Sequence, residues 1–183
     1  LNHTPGNTQM NIVERILDAA TRQIQSIDEV LVYATDEYLE LAEVSQRRFT
    51  PTTIAAIPPL ATTRLWLTFT YGIPASYHDQ TLVLQADPVG AALVYIDGQP
   101  FHGMDPYHDQ IILTSTAVAG RQWRIMMEIA PKIDFERVLA IPAQSQAPAP
   151  HPPLHYLRLA VRIPQIRRLG HQLREALILV AEL

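Results

Sequence analysis

Residues 91–114 read AALVYIDGQPFHGMDPYHDQIILT, and this stretch decides the fold class. Ala92, Val94 and Ile96 recur at every second position, which is the period of a strand with one buried face. Asp97-Gly98 follows at once and is among the strongest short-range signals for a tight hairpin turn. A short apolar strand, IILT, closes the stretch. It therefore predicts antiparallel strands joined by short connections.

The pattern continues on both sides of this stretch. In residues 64–72, Leu65, Leu67, Phe69 and Tyr71 alternate with Trp66, Thr68 and Thr70, and Gly72 and Pro74 end the strand. Because no helical pattern intervenes between the predicted strands, we expect an antiparallel β-sandwich. The further predicted strands are residues 81–87, 109–114, 121–130 and 135–142.

The flanks of the chain have a different period. Apolar residues at spacings of three and four predict helix over residues 9–46, either as two helices or as one with a joint near Ser26, where Ser26 to Glu29 has capping-box spacing. The same period predicts a helix over 154–183, which Pro164 should begin or kink. We thus expect a helical region with a Pro-rich wrap at 1–60, the sandwich at 61–142, a Pro-rich linker at 143–153 and a C-terminal helix at 154–183.

Composition excludes several classes of function. The chain has no cysteine, which rules out disulfides, thiolate zinc sites and cysteine nucleophiles, and fits a reducing compartment. Its net charge of −4 argues against nucleic acid as a partner. No apolar run is long enough to span a membrane. The chain starts with Leu1 and stops within an apolar helical pattern, so we interpret it as a piece of a longer protein.

Residues 101–110, FHGMDPYHDQ, are the richest in chemistry. They contain His102, Asp105, Tyr107, His108 and Asp109. Imidazole and carboxylate groups could bind zinc or manganese, or could contact a ligand or partner domain. Pro106 prevents a helix here, and an Asp-Pro pair favours a turn in which Asp105 caps its own backbone. We favour the polar loop between two strands, and the other two interpretations stay open.

Residues 91–114 resemble the N-terminal non-catalytic sandwich domain of family 38 glycoside hydrolases, the α-mannosidases of bacterial and cytosolic type. In that family a strand ends in an Asp-Gly turn, then comes a Gly-x-Asp-x-x-His-acid pattern, then an apolar strand. The matching positions here are Asp97-Gly98, Gly103 to Asp109 and Ile111 to Leu113. Residues 64–87 resemble neighbouring strands of the same domain, and residues 135–142 with the helix at 154–183 resemble the bridge toward that family's catalytic domain. The resemblance implies a β-sandwich of galactose-binding-like, jelly-roll type with flanking helices.

The resemblance implies a role without catalysis for this chain. Family members are implied to be zinc-dependent retaining hydrolases of α-mannosides, whose catalytic carboxylates and His-x-Asp-rich metal motif lie in a later domain. Nothing here matches that motif, so we expect no catalytic residue, no metal and no cofactor in this chain. The implied partner is the catalytic domain of the same parent chain, and the implied location is cytoplasmic.

Two hypotheses of different class follow. In the first, residues 101–109 dock on the catalytic domain, with Asp105 and His108 forming hydrogen bonds across the interface. In the second, the domain binds mannose-containing carbohydrate, with Trp66, Tyr107 or Trp123 stacking on a sugar ring. The alternation of residues 121–130 places Trp123 in the core. A purely structural spacer is the third possibility.

Overall fold

The computed structural model of the chain describes residues 21–59, 63–130 and 152–181. These residues form ten strands and two helices. The N-terminal elements are β1 Thr21–Ser26, β2 Glu29–Thr35, α1 Leu41–Val44 and β3 Thr50–Thr53. The central strands are β4 Arg64–Gly72, β5 Leu82–Pro88, β6 Ala92–Ile96, β7 Gln99–Met104, β8 Gln110–Thr114 and β9 Gln122–Ile129. The C-terminal elements are β10 Leu154–Arg162 and α2 Pro164–Ala181.

The strands pair into two antiparallel sheets. One sheet has the order β1-β10-β5-β8, and the other has the order β3-β2-β4-β9-β6-β7. Their facing sides enclose the main core, to which β4 gives Leu65, Leu67, Phe69 and Tyr71, and β9 gives Trp123, Ile125, Met127 and Ile129. The β-sandwich predicted for residues 64–129 is confirmed, and its alternation is the physical cause, since every second side chain enters the space between the sheets.

The Asp97-Gly98 turn also forms as predicted. Asp97 has φ of 50° and Gly98 has φ of 80°, so both central residues adopt the left-handed conformation that a tight hairpin turn requires. The Asp97 carboxylate accepts a hydrogen bond of 2.9 Å from the backbone N–H of Arg124 on the adjacent strand β9. Strand β6 is thereby held between β7 and β9.

The helix predicted over residues 9–46 is wrong for most of its described part. Residues 21–26 and 29–35 are strands β1 and β2, and Ser26 to Glu29 is the link between them, not a helix start. Val30 is buried on the inner face of β2, while Tyr33 on the outer face packs against a second apolar cluster. A strand with apolar residues on both faces also satisfies helical spacing, which explains the error. The only helix in residues 21–46 is α1, and residues 9–20 lie outside the described part.

Residues 50–53 of the predicted Pro-rich wrap form an edge strand of the six-stranded sheet. Strand β3 pairs with β2, with Pro51 on this edge strand opposite Leu31, where a missing N–H is tolerated. A 3₁₀ turn at Ile54–Ala56 follows, and Ile54 and Ile57 are buried in the main core. The sandwich is thus not confined to residues 61–142.

The helix predicted from residue 154 begins only at Pro164. Residues 154–162 are strand β10, which lies between β1 and β5 inside the four-stranded sheet. A register irregularity between Leu154 and Leu157 puts both side chains on the buried face, although they are three positions apart. This bulge imitates helical spacing. Pro164 begins α2, as expected for proline in a first helical turn. The strand predicted at 135–142 and the linker residues 143–151 lie outside the described residues.

A second, smaller cluster covers part of the outer face of the six-stranded sheet. Trp66, Tyr95 and Met126 project outward from three neighbouring strands, and Leu39 and Val44 from residues 36–49 pack on them. The rings of Trp66 and Tyr95 stack with centroids 5.8 Å apart. Residues 36–49 therefore bury part of this face, while Leu31 on β2 and Thr70 on β4 stay exposed.

Candidate functional site

The candidate residues 101–109 lie along the free edge of the six-stranded sheet. The loop predicted for residues 101–109 is wrong for residues 101–104, which belong to strand β7 and pair with β6. A turn follows at residues 105–108. Five of the six residues of β7 are exposed, including Phe101 with 42% of its surface accessible, and Leu93 on β6 is exposed beside it. We call this surface the β7 edge and define it as Leu93, residues 99–104 and the turn 105–108.

Asp105 organises the turn that follows β7. Its Oδ1 accepts hydrogen bonds from the backbone N–H groups of Tyr107 at 2.7 Å and His108 at 2.9 Å. The His108 Nδ1 lies 3.1 Å from both carboxylate oxygens. The backbone N–H of His108 also donates to the Asp105 carbonyl at 3.0 Å. This is the self-capping turn that the Asp-Pro pair predicted.

The same contacts set the charge state of the turn. The hydrogen bond from His108 and the backbone hydrogen bonds from Tyr107 and His108 hold the pKa of the Asp105 carboxyl below its usual value. Asp105 is thus an anion over the whole physiological range. The contact between His108 and Asp105 is exposed, so its contribution to stability is small.

The five candidate side chains do not converge on one point. Tyr107 projects into solvent with 92% of its surface exposed. The His102 Nδ1 lies 2.6 Å from the carbonyl of its neighbour Gly103. Asp109 turns toward the other sheet and accepts a 3.0 Å hydrogen bond from the hydroxyl of Tyr156 on β10. Only Asp105 and His108 are in direct side-chain contact.

A metal site is not supported by this arrangement. Within residues 21–59, 63–130 and 152–181, no three His, Asp or Glu side chains are grouped so that they could hold an ion. Asp105 already uses its oxygens on the turn, and Asp109 uses one on Tyr156. The polar turn is therefore the interpretation that the geometry favours.

The two tryptophans offered for sugar stacking are both buried. Trp66 is 1% exposed and lies in the outer cluster, and Trp123 is 2% exposed and lies in the main core, where its alternation had placed it. Neither ring can contact a ligand. Tyr107 is the one aromatic residue of the three that reaches solvent.

A polar group beside the turn was missed from the sequence. Tyr156 and His155 on β10 contact Asp109 and Asp87, and the Arg158 guanidinium lies over the Tyr156 ring with its central carbon 4.4 Å from the centroid. Burial and the hydrogen bond to Asp109 raise the pKa of Tyr156 to about 12. Because the apolar spacing predicts a helix over residues 154–162, the contacts of these side chains with groups near the neighbouring strand β5 are not expected from the sequence.

Comparison with known proteins identifies the domain type. Residues 24–149 match the family described as "Alpha-mannosidase, jelly roll domain". A comparison with curated protein sequences gives no significant match. No helix in the described residues is long and apolar enough to cross a membrane.

Solved structures of glycosidases share the fold. The β-glucuronidase of Ruminococcus gnavus in complex with D-glucuronic acid matches at 12% identity with a TM-score of 0.54, over 75% of this chain and 29% of that chain. A β-glucuronidase of an uncultured Clostridium species matches at 14% identity with a TM-score of 0.52, over 78% of this chain and 29% of that one. At such identities the likeness establishes the fold alone. The chain spans under a third of these proteins.

Proposed function

The chain belongs to the family of α-mannosidase jelly roll domains, and we propose on that premise that it is a non-catalytic accessory domain of an α-mannosidase. The parent enzyme would hydrolyse terminal α-mannosides with a catalytic domain elsewhere in its chain. The role of this domain is to dock on that catalytic domain. A cytoplasmic location stays a prediction, as does the identity of the parent's mannoside.

One observation carries the docking proposal, namely the exposure of the β7 edge. An edge strand presents unpaired backbone N–H and C=O groups, and proteins normally shield such edges with charge, proline or a covering segment. Strand β7 is protected from backbone pairing by Pro100 and by a bulge, so its apolar side chains carry the argument: Phe101, Leu93 and Tyr107 are all at least one third exposed. Aromatic residues are enriched at the centre of protein interfaces. The proposed occupant is the catalytic domain of the same chain.

The turn supplies polar contacts at the border of this surface. Asp105 fixes the backbone of residues 105–108, so Tyr107 and the imidazole of His108 are presented in one orientation. Preorganised side chains lose less conformational entropy when a partner binds. Docking through the β7 edge therefore assigns Asp105 a positioning role and gives Phe101 and Tyr107 the contact area.

The docking proposal predicts a specific effect in the parent enzyme. Replacement of Phe101 by Glu places a charge in the interface, and we expect kcat/KM for an α-mannoside to fall about tenfold, or about 1.4 kcal/mol. Asp105→Ala and His108→Ala should give smaller losses. The measurement is steady-state kinetics together with the thermal unfolding midpoint of the parent.

A matched control is available on another surface. Val118, which follows β8, is also about half exposed, and Val118→Glu should leave the parent's activity unchanged. If Phe101→Glu and Asp105→Ala retain full activity and the parental unfolding midpoint, the β7 edge is not the docking surface. Carbohydrate binding at this edge would depend on Tyr107, and no second observation there supports it.

A further inference from the structure

A groove lies on the outer face of the six-stranded sheet, toward the end opposite the β7 edge. It crosses β3, β2, β4 and β9 and has a volume of about 840 Å³. Binding sites for small molecules usually measure about 300–1,000 Å³. Its lining comes from these four strands and from Ala56 in the 3₁₀ turn after β3.

The sheet register arranges the floor of this groove in two rows. Glu29 is opposite Thr53 on β3, and Thr70 is opposite Arg124 on β9. Continuing the β2–β4 register by two residues places Glu29 beside Thr70. The first row is thus hydroxyl, carboxylate, hydroxyl and guanidinium on four adjacent strands. The second row contains Pro51, Leu31 and Thr68, with Leu31 43% exposed.

The charged groups of the first row are available to a ligand. Within the described residues, the Glu29 carboxylate and the Arg124 guanidinium form no hydrogen bond or ion pair, although both line the groove. Their strands are two spacings apart, with backbones about 10 Å from each other, and the two side chains form no ion pair in the structure. Both groups can therefore bond a ligand in the groove, and Arg124 also lines the adjacent pocket with Asp97 and Ser45.

We propose that this groove binds a neutral oligosaccharide. Sugar hydroxyls both donate and accept, so one ligand can donate to Glu29 and accept from Arg124, which presents a rigid fork of N–H groups. The apolar C–H face of a ring would lie on Leu31 and Pro51. A sugar chain of two or three rings matches the width of the row.

Other classes of ligand fit the groove less well. An anion attracted by Arg124 would be repelled by Glu29, and a cation attracted by Glu29 would be repelled by Arg124. An extended peptide binds a sheet through backbone hydrogen bonds at an edge, whereas this groove offers a sheet face and its edge strand carries Pro51. The balanced charge thus favours an uncharged, polyhydroxylated partner.

The test is titration of the 183-residue chain with α-linked mannotriose, with cellotriose and trigalacturonate as further probes, followed by two-dimensional amide NMR. We expect saturable binding of a neutral trisaccharide with a dissociation constant of about 1 mM or tighter. The shifted amides should include those of Leu31, Thr70 and Arg124. Arg124→Met and Glu29→Gln should each weaken binding at least about tenfold.

Arg168→Met and Glu175→Gln are matched controls, because both residues are exposed on α2, outside the groove. They should leave the affinity unchanged. The proposal is overturned if no neutral sugar binds at about 10 mM, if trigalacturonate binds more tightly than mannotriose, or if binding survives both groove variants. None of these outcomes bears on docking, which depends on the β7 edge and is read from the parent's activity.

Discussion

At the scale of single residues, Asp105 determines the geometry of the candidate surface. Three backbone and side-chain donors converge on its carboxylate. The sequence motif favours a turn former and leaves a metal ligand open, and the hydrogen bonds support the turn. The chemistry of the residue is used within the domain, which leaves Tyr107 and His108 to contact a partner.

Replacement of Asp105 tests this role. Asp105→Ala removes the carboxylate acceptor of both N–H groups, although the His108 N–H keeps the Asp105 backbone carbonyl, so the effect should be larger at Tyr107. Asp105→Asn keeps an acceptor oxygen but removes the charge facing His108. We therefore expect amide hydrogen exchange of Tyr107 and His108 to be fastest in the Ala variant and intermediate in the Asn variant. Equal exchange in the wild type and in Asp105→Ala would show that the carboxylate does not hold the turn.

The pH dependence of the turn follows from the lowered pKa of Asp105. Because the folded-state pKa lies below the unfolded-state value, the stabilisation is complete above the ordinary aspartate pKa of about 3.9 and is lost as the pH falls through the folded value. An NMR titration of the Asp105 carboxyl should give a midpoint below the ordinary value. A midpoint at or above it would contradict the hydrogen-bonded turn.

Tyr156 gives the opposite dependence at alkaline pH. Its folded-state pKa is raised to about 12 from the ordinary 10.0, so the unfolded chain ionises first and stability falls as the pH rises above about 10. Phenolate absorbance should show late-ionising tyrosines, and Tyr156→Phe should remove one of them. A late transition of unchanged amplitude in Tyr156→Phe would contradict the hydrogen bond between this phenol and Asp109.

At the scale of elements, β10 and α2 differ in what they contribute, although both were predicted as one helix. Strand β10 buries Leu154, Leu157, Leu159, Ala160 and Val161 and pairs on both sides. Helix α2 presents Leu169 and Leu173 to solvent, with 52% and 39% of their surfaces exposed. The strand therefore belongs to the core of the sandwich, whereas the helix leaves these two leucines exposed.

Two truncations separate these contributions. A chain that ends at residue 153 lacks an interior strand, leaves β1 and β5 without a shared partner, and should not fold. A chain that ends at residue 163 keeps every sheet pairing and should retain the β-sheet circular dichroism signal and dispersed amide resonances. Folding of the shorter chain would show that β10 is dispensable, contrary to its position in the sheet.

At the scale of the whole molecule, the β7 edge and the groove lie toward opposite ends of the six-stranded sheet. Residues 36–49 bury the outer face between them around Trp66 and Tyr95. An accessory domain of this form can contact a catalytic domain through its edge and keep the groove accessible.

The sequence by itself determined the sandwich over residues 64–129 and the Asp97-Gly98 turn. Alternation at period two and the need for positive φ are local properties that each residue carries into the fold. The resemblance to an α-mannosidase accessory domain, drawn from the same residues, is confirmed by the family match.

Only the tertiary structure decided that the segments of β1, β2 and β10 are strands and not helices. Their apolar residues satisfy helical spacing as well as strand spacing, because β2 packs on both faces and a bulge in β10 brings Leu154 and Leu157 to one side. Hydrogen bonds from neighbouring strands resolve that ambiguity, and these partners are distant in sequence. The groove is likewise a tertiary feature, since its row of Thr53, Glu29, Thr70 and Arg124 comes from four strands that only sheet pairing aligns.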